Sequence, residues 1–313
     1  MVNRNILTLT VHPAIDINTD IDYVVPEKKL RCNSPRYEPG GGGINVSRAI
    51  AKLKGLSKAI YMAGGPTGDL LNELLIEEGI ECRIVPVNSR TRENLIVLER
   101  STGQQYRFGI PGLPINKEAW TECLLQINTL DPFPEFVVVS GSGALGSSAD
   151  FYFKLSEIVR EKKGKLIADN SGKDLIDMLL AGVYMIKPNL DELREICGCE
   201  LRDEKEMVLE SERIIRKGYA EIVVLSIGAA GAIYISESER GRIRAPTVPI
   251  RSKVGAGDSM VAGIVLSMSR GYTLREAVRY GVAAGASAVM TPGTELCRHE
   301  DTERLYAILM ESD

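Results

Sequence analysis

Short runs of consecutive apolar residues recur along the chain, and the segments between them carry apolar residues three or four positions apart. The runs at 136–139 and 222–225 are the clearest examples. Continuous apolar runs of this length are typical of parallel strands covered on both faces, and the intervening spacing is that of amphipathic helices. The alternation predicts an α/β fold with a mostly parallel central sheet and helices on both faces.

The individual elements follow from the same pattern. It predicts strands at 4–11, 57–63, 136–139, 165–169, 183–186 and 222–225, with shorter strands at 231–235 and 241–248. It predicts helices at 69–78, 116–128, 149–163, 173–181, 190–197, 204–217 and 273–290, with two more after the glycine-rich segments 39–43 and 255–257.

Five further segments resemble strands but carry few large apolar residues. They lie at 20–26, 34–38, 81–87, 94–99 and 104–108. No helix is predicted between the last three, so we expect all five in a separate small sheet. This sheet would form a lid, made of about 18–39 and 90–110, on one α/β unit spanning 1–313. Sheet edges tend to find partners, which favours a homodimer through the lid.

Composition excludes several classes of function. The chain of 313 residues has a net charge of −4, which gives no general attraction to nucleic acid, so any basic site would be local. No apolar run is long enough to cross a membrane, and the six scattered cysteines favour reduced thiols in the cytoplasm. The pair Cys197 and Cys199 has too few possible partners for a zinc site, since the chain contains two histidines.

The segment Gly255-Ala256-Gly257-Asp258 opens a long apolar helix and is the strongest indication of function. Free amides at a helix N-terminus bind anions, and glycines let a phosphate approach the backbone. Asp258 would be either a base that takes a proton from an attacking alcohol or an ordinary first-turn residue that complements the helix dipole.

Four glycines, Gly40 to Gly43, lead directly into another helix. We interpret them as a place where the backbone approaches a ligand closely, the alternative being a flexible connection. The spacing of a dinucleotide fingerprint is absent because Asn45 follows. Asp16 lies in a predicted turn after the first strand, where it would hold sugar hydroxyls or serve as a plain turn aspartate.

These segments together resemble the ribokinase (PfkB) family of sugar kinases over nearly the whole chain. The resemblance is carried by the Asp16 segment, by residues 39–46, by Lys187-Pro188-Asn189 with Glu192, and by residues 254–259. It implies a ribokinase-like fold and transfer of a phosphoryl group from ATP, and it is nearest to the branch that acts on fructose 6-phosphate.

The resemblance also implies roles for individual residues. In the catalytic step Asp258 would be the base, the amides of Gly255, Ala256 and Gly257 would hold the transferred group, and Lys29 would reach it from the lid. The sugar phosphate would be bound by Asp16, Gly41, Gly42, Asn45, Arg92, Asn94, Arg107 and Ser140. ATP would be bound by Lys187, Asn189, Ser226, Gly228, Gly231, Val254 and Ala286.

Two kinds of metal ion are implied as well. Asn189 and Glu192 would organise Mg²⁺ and its waters around the ATP phosphates. A site for K⁺ would lie among Ser252, Val254, Ala288, Thr291 and Gly293. The loop at 143–146 departs from the pattern of many relatives, which leaves its phosphate contacts open.

Alternatives remain at the level of substrate and of activity. Gly42 favours fructose 6-phosphate, because kinases for fructose 1-phosphate or tagatose 6-phosphate commonly carry lysine there. A regulator that binds nucleotide or sugar phosphate without turnover would have no use for Asp258. A dinucleotide oxidoreductase would need the missing glycine fingerprint.

Overall fold

The computed structural model describes residues 6–141, 143 and 148–311. Most of the loop predicted to depart from the family at 143–146 therefore lies outside the described residues. Within the described part, no helix has the length and apolar character needed to span a membrane.

The larger of two sheets has nine strands in the order β13-β12-β11-β10-β9-β8-β1-β4-β5. Its strands are β1 (Ile6–Thr10), β4 (Lys58–Ala63), β5 (Glu81–Pro86), β8 (Phe136–Ser140), β9 (Lys165–Asp169), β10 (Val183–Ile186), β11 (Ala220–Ser226), β12 (Ala232–Ser236) and β13 (Arg240–Ile243). Pairs from β5 to β11 are parallel, whereas β12 and β13 are antiparallel additions at one edge. The predicted mostly parallel α/β architecture is confirmed.

Alternate residues of each central strand enter different cores on the two faces of this sheet. In β8, Val137 and Val139 pack on one face, while Phe136 and Val138 pack on the other. The first face carries α3 (Lys117–Asn128), α4 (Ala149–Glu161), α5 (Gly172–Ala181), α6 (Leu190–Cys197) and α7 (Glu204–Arg216). The second carries α1 (Gly42–Lys52), α8 (Ala256–Ser269), α9 (Leu274–Val289) and α10 (His299–Glu311).

The smaller sheet has four strands in the order β3-β2-β6-β7. These are β2 (Ala14–Ile21), β3 (Arg36–Gly40), β6 (Arg92–Glu99) and β7 (Gln105–Gly109). A third core joins the two sheets, because Ile15 of β2 packs with Tyr61 of β4 and with Leu71 of α2 (Gly65–Glu77).

Three predictions about strands were wrong. The segment 81–87 forms β5, which pairs in parallel with β4 at the edge of the large sheet, because α2 supplies the crossover. The segment expected to turn at Asp16 is part of β2, and the strand expected at 20–26 is replaced by an irregular segment, 22–35. Pro26 in that segment has no amide hydrogen for a strand ladder.

Smaller differences concern where elements begin and end. Helix α2 begins at Gly65, four residues before the predicted start, with proline in its first turn. Strand β13 ends at Ile243, well before the predicted residue 248, in a stretch that contains Pro246 and Pro249. Helix α10 was not predicted.

Candidate active site

Polar side chains meet at the carboxyl ends of three neighbouring parallel strands. Ser140 ends β8 and Asp169 ends β9, while Lys187 directly follows β10. The Nζ atom of Lys187 lies 2.9 Å from Oδ1 of Asp169, and the Ser140 hydroxyl donates a hydrogen bond of 3.1 Å to Oδ2. This edge of an open parallel sheet is where ligands bind in α/β proteins.

Lys187 is a buried cation held by a carboxylate. Its side chain is 6% exposed, and burial alone would lower its pKa. The charge of Asp169 and its hydrogen bond, together with smaller contributions from Glu192 and Asp258, outweigh burial, so the pKa of Lys187 is raised and the ammonium stays charged. The sequence analysis missed Asp169, although the carboxyl end of a predicted strand was a reason to consider it.

Asp258 lies in the first turn of α8, which begins after a left-handed residue. Gly255 has φ 73°, and a side chain there would also place a Cβ 2.4 Å from Leu296. The positive φ strongly favours glycine at this N-cap, and the Leu296 side chain would also have to move for any other residue. The turn directs Asp258 toward Asn45, whose Nδ2 donates a hydrogen bond of 3.0 Å to its Oδ2.

Charge and burial make Asp258 an unusual carboxylate. Burial and the nearby Asp169 raise its pKa to about 7, with a further contribution from Asp16, and the hydrogen bond from Asn45 and the charge of Lys187 oppose them. A carboxyl group with such a pKa exchanges a proton near neutral pH, which is the property needed in a general base.

Helix α1 supplies Asn45, and its glycine-rich start is required by packing. Gly41 has φ 118°, a Cβ on Gly42 would lie 2.4 Å from the Ser140 Oγ, and one on Gly43 would lie 2.5 Å from the Leu9 carbonyl oxygen. Each position thus has a reason for glycine that involves protein atoms alone. The run of glycines does not by itself require a ligand.

Asp16 and Asn94 face the same region from the small sheet. They are opposite each other on β2 and β6, and the Asn94 Nδ2 donates a hydrogen bond of 2.8 Å to the Asp16 Oδ1. Burial raises the pKa of Asp16, with Arg107 and Arg92 opposing it. Arg92 donates to the Asn94 Oδ1 at 3.3 Å, and Arg107 is exposed on β7.

Asn189 and Glu192 form a capping box at the start of α6. The Asn189 Oδ1 accepts from the Glu192 amide at 2.9 Å, and the Glu192 Oε2 accepts from the Asn189 amide at 2.8 Å. Burial raises the pKa of Glu192, and the charge of Lys187 opposes this effect. Asn189 also bridges to Ser226 at the end of β11.

This donor set fits Mg²⁺ bound mainly through water and phosphate. Among the described residues there is no group of three or more histidine, cysteine or acidic side chains that could enclose a metal. Mg²⁺ commonly keeps several waters and takes one or two carboxylates together with substrate phosphates. Glu192 retains Oε1 for such a role, since its Oε2 accepts from the backbone.

Two of the expected nucleotide residues lie near the start of α8: Val254 directly precedes its N-cap Gly255, and Ala286 is on the neighbouring helix α9. Ala286 is buried on α9, and a Cβ on its neighbour Gly285 would lie 3.2 Å from the Ala256 carbonyl oxygen. Gly228 and Gly231 bound an exposed turn between β11 and β12, with φ 55° and 95°.

The two segments expected to hold K⁺ meet, but one of the expected ligands is already in use. The Arg251 amide donates to the Val289 carbonyl at 2.8 Å, which joins the segment of Ser252 and Val254 to the end of α9. The Ala288 carbonyl accepts from both the amide and the hydroxyl of Thr291, at 3.1 and 2.8 Å. The same hydroxyl lies 3.0 Å from the Leu296 carbonyl oxygen and shares its one hydrogen between the two carbonyls.

Lys29 is the expected catalytic residue that the structure does not bring into this cluster. It lies exposed in the irregular segment 22–35. Two further residues of the site were missed by sequence reasoning. Arg48 and Glu78 join α1 to the end of α2, and no local motif marks a contact across 30 positions.

Comparison with known proteins identifies the family. The family model for pfkB family carbohydrate kinases matches residues 12–301. An ATP-dependent 6-phosphofructokinase isozyme 2 from Mycobacterium tuberculosis is 42% identical over 98% of this chain and 90% of its own.

Solved structures agree with that assignment. Phosphofructokinase-2 from Escherichia coli in complex with potassium has a TM-score of 0.94 at 38% identity, covering 99% of this chain and 100% of the other. Its complex with fructose-6-phosphate has a TM-score of 0.90 at 37% identity, with the same coverage. The chain therefore belongs to the pfkB family of carbohydrate kinases.

Proposed function

We propose that the chain is an ATP-dependent 6-phosphofructokinase that converts fructose 6-phosphate into fructose 1,6-bisphosphate. The observation that carries the proposal is the environment of Asp258, a carboxyl group with a pKa of about 7 in the first turn of α8. The relatives described above that bear the name 6-phosphofructokinase or phosphofructokinase-2 support the choice of substrate.

In this proposal Asp258 takes the proton of the sugar 1-hydroxyl as the hydroxyl oxygen attacks the terminal phosphorus of ATP, and the bond between that phosphorus and ADP breaks. The amides of Gly255, Ala256 and Gly257 face the negative charge that develops on the transferred group. Lys187, fixed 2.9 Å from Asp169, supplies a preorganised positive charge close to Asp258. Mg²⁺ near Asn189 and Glu192 would neutralise phosphate charge.

The sugar would be held from both sheets. Asn45 and Asp16 offer hydrogen-bonding groups for its hydroxyls, and Asn94 orients Asp16 by donating to it. Arg92 and Arg107 provide guanidinium groups suited to a sugar phosphate. Gly41, Gly42 and Ser140 would shape the space around these groups, since Gly42 packs directly against Ser140.

The small sheet would act as a lid and as a dimer interface. Tyr37, Leu98 and Phe108 on this sheet are 45%, 42% and 54% exposed, and Tyr23 and Ile110, which lie just beyond its strands, are also exposed. An apolar surface of this kind favours association with a second copy of the chain. Lys29 would then reach the transferred phosphoryl group through movement of segment 22–35.

The proposal for K⁺ rests on the junction of the segments containing Ser252 and Thr291. It is supported by the potassium complex of the relative from Escherichia coli. Because the Ala288 carbonyl is engaged by Thr291, the remaining expected ligands would have to provide the site. Measuring the rate in K⁺ and in tetramethylammonium salts of equal ionic strength tests this requirement.

A substrate panel tests the proposed function. ADP release is followed with ATP, Mg²⁺ and each of fructose 6-phosphate, fructose 1-phosphate and tagatose 6-phosphate. We expect kcat/KM to favour fructose 6-phosphate by about ten to two hundredfold, the discrimination that a few contacts supply. A higher value for either competitor would overturn the substrate assignment, and ATP binding without any turnover would favour the regulator.

A further inference from the structure

Arg48 is a buried cation that the proposed reaction does not yet use. Its side chain is 3% exposed, and it lies on α1 one turn after Asn45. Its Nε and Nη2 atoms donate hydrogen bonds of 2.7 Å each to the two carboxylate oxygens of Glu78. This paired geometry fixes the plane of the guanidinium group.

The remaining nitrogen, Nη1, faces the active site. It donates a hydrogen bond of 3.0 Å to the Pro39 carbonyl oxygen, near the end of β3. It also lies 3.4 Å from the Oδ1 atom of Asn45, the longest of the four contacts. The other end of the same amide donates to Asp258.

The amide of Asn45 therefore lies between opposite charges, with its oxygen toward Arg48 and its nitrogen toward Asp258. Rotation of the amide by 180° would place the oxygen against the carboxylate and the NH₂ group against the guanidinium. Both new contacts would be repulsive, so the two charges select one orientation even where the contact to Arg48 is long.

We propose that Arg48 is a positioning residue for phosphoryl transfer, which holds the Asn45 amide with its nitrogen toward Asp258 and is itself held by Glu78. The inference rests on the proposed function. It extends the site to the end of α2, where Glu78 follows the last helical residue. It also ties the end of β3 to the catalytic group through the Pro39 carbonyl.

Other charged and polar groups also affect the ionisation of Asp258, so the contribution of Arg48 has to be separated from theirs. Asp169 and Asp16 oppose its ionisation, and Lys187 and Asn45 favour it. Removing Arg48 frees the amide of Asn45 and takes away one of the charges that favour ionisation of Asp16, but it leaves Asp169 and Lys187 in place. An effect that passes through Asp16 would persist without Asn45, whereas an effect that passes through the amide must disappear when Asn45 is absent.

The first test is a kinetic cycle with Arg48→Met, Asn45→Ala and the double variant. We expect Arg48→Met to lower kcat about ten to a hundredfold, the range expected for losing a hydrogen bond that involves a charged group. The KM for ATP should stay within about twofold. The double variant should be no slower than Asn45→Ala, because Arg48 acts through that residue.

Two variants separate positioning from folding. Arg279→Met removes another buried arginine, 4% exposed on α9, and should leave kcat unchanged. Arg48→Lys keeps a cation near the Asn45 oxygen but loses the paired contact with Glu78, so its kcat should lie between the parent and Arg48→Met. The proposal would be overturned if the losses of kcat in the two single variants added up in the double variant. It would also be overturned if the loss of kcat in Arg48→Met equalled the fraction of that variant that is unfolded.

A second readout does not depend on turnover. The carboxyl carbon of Asp258 can be followed by NMR in the ligand-free protein and assigned with Asp258→Asn. Arg48→Met should move its titration midpoint to higher pH, because the hydrogen bond to the ionised form is weakened. In the Asn45→Ala background Arg48→Met should leave the midpoint unchanged.

The NMR cycle distinguishes the two levels of inference. An equal shift with and without Asn45 would show that Arg48 acts as a distant charge, and the positioning role would be lost. If the parent does not phosphorylate fructose 6-phosphate, the proposed function fails while the NMR cycle still reports on Arg48.

Discussion

Replacing Asp258 with asparagine should stabilise the folded protein while removing most of its activity. The pKa of this carboxyl group is about 7 in the folded protein and 3.8 ordinarily. Because the folded value is the higher one, protonation favours the folded state. That contribution is complete below about pH 4 and is lost as the pH rises through about 7.

The size of the effect follows from the difference between the two pKa values. A difference of about 3 corresponds to a ceiling of about 4 kcal/mol at pH 8. Asp258 is only partly buried, and water and movement of Asp169 screen its charge, so about 1 to 2 kcal/mol is a realistic gain. For a chain of this length, that gain raises Tm by about 1.5 to 3 °C.

Thermal unfolding of the ligand-free protein at pH 5 and pH 8 measures the gain. The Tm of Asp258→Asn should be clearly higher than that of the parent at pH 8, and the difference should be much smaller at pH 5. Asp150→Asn is a matched control, since Asp150 is also in a helical first turn but its side chain is 69% exposed. That control should show no gain that depends on pH.

Activity must move in the opposite direction if Asp258 is the base. We expect kcat to fall at least about a hundredfold, which is the contribution expected of a general base. A variant no more stable than the parent at pH 8 would refute the electrostatic reasoning. A gain of equal size at pH 5 and pH 8 would indicate improved packing, and turnover within tenfold of the parent would remove the role as base.

Three further predictions concern the metal site, Asp169 and the lid. Glu192→Gln should raise the Mg²⁺ concentration needed for half-maximal rate because it removes charge near the metal. The control Glu195→Gln should not raise it, and identical Mg²⁺ curves for Glu192→Gln and the parent would contradict the prediction. Asp169→Asn removes a like charge, so the acidic limb of the kcat/KM profile should move below about pH 7, and a limb at the same or higher pH would be contrary evidence. Segment 22–35 should exchange its amide hydrogens more slowly when fructose 6-phosphate is added, and equal exchange would argue against closure of the lid.

The sequence predicted the large sheet well because its strands are buried on both faces. Continuous apolar runs such as 136–139 have no other common explanation in a soluble chain with alternating helices. Strand β5 was misplaced because it is followed by β6 with no helix between them, so it looked like a member of the small sheet. Helix α2, which precedes β5, is the crossover that allows β5 to pair in parallel with β4.

Long-range contacts within the site were beyond sequence reasoning. Asn45 and Asp258 are 213 positions apart and meet in the structure, yet each was found because a motif of the family marks it. Arg48 and Glu78 carry no such motif and look like ordinary charged residues of two helices. Their pairing became visible once the fold brought the end of α2 beside α1.

Gly42 shows why substrate choice is harder to predict than chemistry. The sequence argument treated this position as a space that lysine fills in other kinases. In the structure a Cβ at Gly42 would lie 2.4 Å from both the Ser140 Oγ and the Gly141 nitrogen, so a side chain there requires the turn after β8 to move. The choice between sugar phosphates is therefore a property of the two segments together. A base can be recognised from its helix start, but the shape of a substrate site depends on which backbones pack against each other.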